Sequence, residues 1–214
     1  MKPELIDKGL YRILVPFEGE ITTTVYILVN EIDKRVVLID SASYPTDAKN
    51  FIIPAIEELG ISPDNAELLL LTHSHKDHFG GAKALFGELP NLKPRASFLI
   101  EHPAFEYLVD AEIIAERLKV VFLPGHTKNS VAFYDLETKT LLSGDCLQLK
   151  GVGKYRNGIA FPILYRNSIE KLKGMDIERI VAAHEYDPLG SIAEGKERVL
   201  EYLNECLSCL DKLD

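Results

Sequence analysis

The chain holds six histidines among 214 residues, and three of them fall in one run, His73-Ser74-His75-Lys76-Asp77-His78. Imidazole nitrogen and carboxylate oxygen are the groups by which proteins hold zinc and related divalent ions. In an extended stretch, side chains at i and i+2 point the same way. His73 and His75 can therefore grip one ion together. Asp77 and His78 lie where the chain turns, so they can face a second, neighbouring ion. The alternative is a polar loop with chance histidines. Crowding of so scarce a residue type into one run argues for ligation instead.

HSHKDH resembles the signature of the metallo-β-lactamase superfamily. The rest of that pattern follows in family order: Asp40 closing VVLID, His126 in PGHT, Asp145 in SGDC and His184 in VAAHE. The resemblance covers most of the chain, from Val25 to Pro188. It implies an α/β (α+β) fold, a four-layer αββα sandwich, with two adjacent metal sites. His73, His75 and His126 would hold the first ion. Asp77, His78 and His184 would hold the second, and Asp145 would bridge them. Asp40 would orient a ligand from behind. Zinc is the expected metal, with iron and manganese open. The diiron, flavin-dependent oxygen reductases of this superfamily carry Glu where this chain has His75, together with a flavodoxin domain for which too few residues follow His184. Two cations about 3.5–4 Å apart can share a water and lower its pKa toward neutrality. The hydroxide attacks a carbonyl carbon or phosphorus, and the ions stabilise the charge that builds on oxygen. Asp77 would also orient the nucleophile or take a proton, so Asp77 and Asp145 are the expected catalytic carboxylates.

The stretch after Asp145, CLQLKGVGKY, is similar to the glyoxalase II segment in which a Gly-x-Gly-Lys turn follows the bridging Asp. On that resemblance Lys154, with Arg156, would meet a carboxylate in the anionic part of a thioester substrate. The competing reading is a glycine-rich loop with solvated cations. Glyoxalase II has an added helical C-terminal region with further basic contacts, whereas this chain has one helix's worth of residues there. Glu185, next to a ligand, would disfavour an anionic substrate if it pointed inward. Tyr155, Tyr165 and Tyr186 are either hydrogen-bond donors to a substrate carbonyl oxygen or packing residues. Residues 158–165, GIAFPILY, form either a flap over an apolar pocket or a connection packed on the core. Cys206 and Cys209 lie on an amphipathic helix and read as core. Cys146 adjoins a ligand and is either redox-sensitive or buried. His102 is expected to start a helix with Pro103.

These side chains need strands to bring them together. Residues 11–17, 24–30 and 35–40 are rich in β-branched and aromatic types, with Asp33-Lys34 as a hairpin turn. Thr46 reads as the N-cap of a helix ending at Gly60. A strand at 67–72 runs into His73, and a helix at 81–86 follows the cluster. Further strands are expected at 95–100, 119–123, 131–136, 139–143 and 179–183. Helices are expected at 103–118, 167–174 and 191–210. Clusters of strands separated by helices suggest two sheets, each covered by helices, in one layered domain over 1–214.

The 46% hydrophobic content supports a large core without disulfides, and three cysteines give no disulfide framework. Sparse thiols and no evident leader point to the cytoplasm. A formal charge of −9 disfavours nucleic acid as a partner, and no apolar run is long enough to span a membrane. The leading reading is a dinuclear metal hydrolase acting on a small-molecule thioester, lactone or ester. The alternatives are a mononuclear iron persulfide dioxygenase-like oxidoreductase and a non-catalytic metal-binding module.

Overall fold

The computed structural model describes residues 2–149, 158–186 and 189–210. The chain forms two compact units, residues 1–108 and 109–214, each with its own sheet and its own apolar core.

In the first unit the expected β-rich stretch forms β1 (Glu4–Asp7), β2 (Leu10–Glu18), β3 (Ile21–Val29) and β4 (Val36–Ile39). Each pairs antiparallel with the next, and Lys34 takes the left-handed conformation expected at the hairpin. β5 (Ala66–Leu70), β6 (Lys93–Ala96) and β7 (Glu106–Tyr107) then continue the sheet in parallel. Parallel neighbours need crossovers. The first is α1 (Pro45–Asp47), a π-helical turn (Ala48–Ile52) and α2 (Ile53–Glu58). The second contains α3 (Lys76–Phe79) and α4 (Ala82–Glu88). The helix opens at Tyr44 rather than Thr46. Pro45 occupies its first position, and Asp47 accepts the N–H groups of Ser43 and Tyr44. The π turn has a local cause. Pro54 has no N–H and its ring crowds the carbonyl four residues back. The ladder shifts ahead of it, and Ile53 N–H reaches Ala48 O.

The second unit begins where a helix was expected, at 103–118. The chain instead forms β7 and then β8 (Ile113–Ile114), which turns into β9 (Leu118–Phe122). Ala115 and Glu116 both have positive φ, and Arg117 N–H closes the turn on Ile114 O at 3.1 Å. That is the primed turn geometry matched to strand twist. Strand pairing overrides the helical preference of Ala, Glu and Arg. His102 starts no helix; it stacks on Phe86 at 4.4 Å between centroids, and its Nδ1 accepts Ala104 N–H.

β9, β10 (Val131–Asp135) and β11 (Thr140–Gly144) form an antiparallel meander. After α5 (Pro162–Lys173), β12 (Arg179–Ala182) pairs parallel with β11, and β13 (Ile192–Glu194) closes the sheet. α6 (Lys196–Ser208) follows. Two expectations shift here. Residues 162–165 of the apolar stretch are the first turn of α5, with Tyr165 fully buried, so they are no flap. Residues 192–194 are strand, separated from α6 by Gly195 at φ +85°. Cys146, Cys206 and Cys209 are free thiols buried in the second unit. No helix among the described residues is long and apolar enough to cross a membrane.

Candidate metal centre

In the first unit β4 and β5 run parallel and end side by side, at Asp40 and just before Thr72-His73. Loops past the carboxyl ends of parallel strands are where open α/β sheets hold ligands. Asp40 is fully buried and has φ +65°. Its carboxylate accepts Thr72 N–H at 2.8 Å, Thr72 Oγ1–H at 2.8 Å and His78 Nδ1–H at 2.6 Å. The single hydroxyl proton of Thr72 is thereby used, so its Oγ1 accepts from His73 Nδ1 at 3.1 Å. Both imidazoles thus keep the proton on Nδ1 and turn an Nε2 lone pair outward, the tautomer that binds a metal.

His73 lies 4.7 Å from His75 and 4.3 Å from His78 between ring centroids. The ligand atoms of His73 and His75 are within 4.8 Å of each other, as are those of Asp77 and His78. His78 Nε2 is 3.3 Å from Asp77 Oδ2, which also accepts Thr23 Oγ1–H at 3.4 Å. Two glycines seat this turn. A Cβ on Gly80 would lie 2.0 Å from Ser43 O, and one on Gly81 would lie 2.1 Å from Ser41 O. Only bare backbone lets α3 approach so closely that Ser41 N–H and Oγ–H both donate to His78 O.

In the second unit β9, β11 and β12 all run the same way, and a candidate ligand follows the end of each: His126, Asp145 and His184. Gly144, at φ +50°, sits at a register shift between β11 and β12, and Cys146 N–H closes a turn on Ser143 O. The bulge re-aims Asp145 out of the strand. One carboxylate oxygen, Oδ2, is 3.4 Å from His126 Nε2; the other, Oδ1, is 3.2 Å from His184 Nε2. His126 Nδ1 donates to Gly158 O, which leaves Nε2 facing Asp145. With the imidazole neutral, a divalent ion between that Nε2 and the carboxylate would bind both, and the donor set fits one.

The first unit therefore gathers His73, His75, Asp77, His78 and Asp40, and the second gathers His126, Asp145 and His184. Lys154, Tyr155 and Arg156 lie outside the described residues. Glu185 accepts the N–H and the hydroxyl of Ser191, which accounts for its carboxylate. Tyr186 is buried beside His184, with ring centroids 6.3 Å apart; burial, and then the charge of Asp145, pushes its hydroxyl pKa well up. Sequence reading missed Thr72, Ser41, Gly80, Gly81 and Gln148. The Gly-Gly pair directly after HSHKDHF was a readable signal of close backbone approach. Thr72, Ser41 and Gln148 carried none.

Two mixed sheets with His/Asp ligands set past their strand ends define a metal-site α/β protein. The chain belongs to the metallo-β-lactamase superfamily, whose family model matches residues 19–184. It is 29% identical over 167 residues to a hydroxyacylglutathione hydrolase of an Enterobacter species, covering 76% of this chain and 61% of that protein. A hydroxyacylglutathione hydrolase of Aeromonas hydrophila is 33% identical over 148 residues, covering 66% and 55%. The chain thus spans about three fifths of the length of such relatives. Among solved structures, the rubredoxin oxygen:oxidoreductase of Desulfovibrio gigas superposes with TM-score 0.80 at 16% identity, over 98% of this chain and 61% of that one. A metallo-β-lactamase of Elizabethkingia meningoseptica gives 0.71 at 20% identity, over 99% and 92%. These structural likenesses carry the fold.

Proposed function

We propose that the two ligand sets act as one dinuclear centre, in a single domain over 1–214, and that the chain hydrolyses a small-molecule thioester. The observation that carries this reading is Asp145, which offers one oxygen to each of two imidazoles as a bridging carboxylate does. His73, His75 and His126 would hold one ion, and Asp77, His78 and His184 the other. The metal we assign is zinc, because the candidate donors are imidazoles and carboxylates, which suit it. Bound there, a pair of divalent ions would ionise water near neutral pH and neutralise charge on a carbonyl oxygen.

The chain's own groups do the rest. Asp40 and Thr72 fix the tautomers of His78 and His73. Gly158 fixes that of His126. Asp77, held by Thr23, is positioned to take or orient a proton. The thioester preference draws on the relatives named hydroxyacylglutathione hydrolase and on the Gly-x-Gly-Lys stretch containing Lys154, Tyr155 and Arg156. Lactones and simple esters share the same carbonyl chemistry. We assign the reaction to the cytoplasm, with no nucleic-acid or membrane partner.

Elemental analysis followed by a panel of thioesters, lactones, esters and phosphoesters tests the reading. Two zinc ions per chain and fastest turnover of a thioester are expected. One iron per chain with oxygen uptake on a persulfide would replace it with a dioxygenase. Bound metal without turnover of any panel member would leave a binding module.

A further inference from the structure

We propose that Gln148 is a positioning residue that sets the aim of two metal ligands, Asp145 and His126, with Tyr165 as its clamp. The inference rests on the dinuclear reading above. Gln148 is buried, and its side chain touches the backbone behind both ligands. Its Nε2 donates to Asp145 O at 2.9 Å, closing the turn that follows β11. This fixes the peptide from which the Asp145 carboxylate projects. On the other side, the amide oxygen of Gln148 lies against Gly158: a Cβ there would sit 2.4 Å from Gln148 Oε1. Gly158 is the residue whose carbonyl accepts His126 Nδ1–H. One amide thus abuts the anchor of one ligand and bonds the anchor of the other.

Tyr165 holds that amide still. Its hydroxyl accepts Gln148 N–H at 2.9 Å and donates to Gln148 O at 3.1 Å. Both of the residue's backbone groups are satisfied by one phenol, so its backbone has little freedom to rotate. Tyr165 is itself wedged against Gly125, the neighbour of His126, where a Cβ would lie 2.6 Å from Tyr165 Cα. Phe161 N–H donates to Gly125 O at 2.8 Å, fixing the start of α5 to the same loop. The network thereby closes on itself: Asp145 to Gln148 to Gly158 to His126, with Tyr165 spanning Gln148 and Gly125. A buried polar amide is costly unless its bonds are made. An apolar side chain would pack here, so the amide's presence points to its bonding role.

The test uses Gln148→Met, which keeps length and removes the amide with its hydrogen bond to Asp145 O, and Tyr165→Phe, which removes only the hydroxyl. Zinc affinity is read by competition with a chromophoric chelator, ligand geometry by the absorption of the cobalt-substituted protein, and folding by melting of the metal-free chain. Gln148→Met should weaken zinc binding by about 10- to 100-fold, the effect of losing a partner that orients a ligand. Its cobalt bands should shift, while metal-free melting changes little. Tyr165→Phe should move affinity in the same direction by less, and it decides the matter if Gln148→Met does not fold. Parental affinity and cobalt absorption in a folded variant would overturn the positioning role alone. A parent chain that takes up no divalent ion would overturn the dinuclear reading, and this inference with it.

Discussion

Asp40 makes the chemistry of the first ligand set depend on a residue that need touch no ion. It sits at positive φ, where Asp is tolerated better than most residues. Asp40→Asn keeps that tolerance but loses an anionic acceptor for His78 Nδ1. Zinc affinity is expected to fall about 10- to 100-fold, measured by chelator competition. His75→Ala removes a proposed ligand, so activity and at least one metal equivalent should both disappear; normal turnover by the variant would discard the assigned site. Tyr186 poses the opposite case. Its hydroxyl is buried without a hydrogen-bond partner among the described residues. Orphaned buried polar groups destabilise by about 1–3 kcal/mol. Tyr186→Phe should therefore leave stability unchanged or raised in urea titration, and a fall in kcat/KM would reveal a substrate atom as the missing partner.

Turns rather than strands decide how the elements present their ligands. α3 reaches Ser41 and Ser43 only because residues 80 and 81 lack a Cβ. Gly80→Ala would force backbone apart, since the clashing atoms are carbonyls rather than flexible side-chain ends. Loss of metal content together with a lower melting temperature is expected. The β8–β9 turn behaves differently. Glu116 is exposed and holds φ +59° for geometry alone. Glu116→Gly should relieve strain and stabilise by roughly 1 kcal/mol after the added chain entropy, measured by chemical denaturation.

For the molecule as a whole, stability should respond to metal and to acid. Each ion bound only by the folded chain adds about 2.7 kcal/mol at a hundredfold excess over Kd. Chelation should therefore lower the melting temperature, and added zinc should restore it. Acid acts through buried carboxylates such as Asp135. Burial would raise its pKa, but the Arg117 guanidinium and the Thr138 hydroxyl outweigh that and hold it below the usual 3.8. A folded-state pKa below the unfolded one stabilises above the ordinary carboxylate range. That stabilisation disappears as pH falls through the folded value. Arg117→Met strands a buried charge, so about 3 kcal/mol should be lost near neutral pH, with a shallower loss on acidification below about pH 4. An unchanged acid profile would count against this pair.

The candidate ligands in HSHKDH were legible in the amino-acid order, because metal chemistry demands particular side chains at short spacings; His126, Asp145 and His184, far apart along the chain, were singled out only by the family resemblance. Most strands were legible too, from short runs rich in β-branched and aromatic residues, and several of them, such as β4, β10 and β11, are buried on both faces. Residues 103–118 were not. Their helix-forming composition yielded to pairing with β9 and to a two-residue turn with positive φ, which only long-range hydrogen bonds could impose. Nor was Gln148 legible, because an amide carries no motif and acquires its role from Asp145, Gly158 and Tyr165 meeting in space. Residue order thus settled which atoms can donate to a cation. Folding settled which nitrogen of His73, His78 and His126 faces that way, because their Nδ1 atoms meet partners at 72, 40 and 158 that no spacing along the chain encodes.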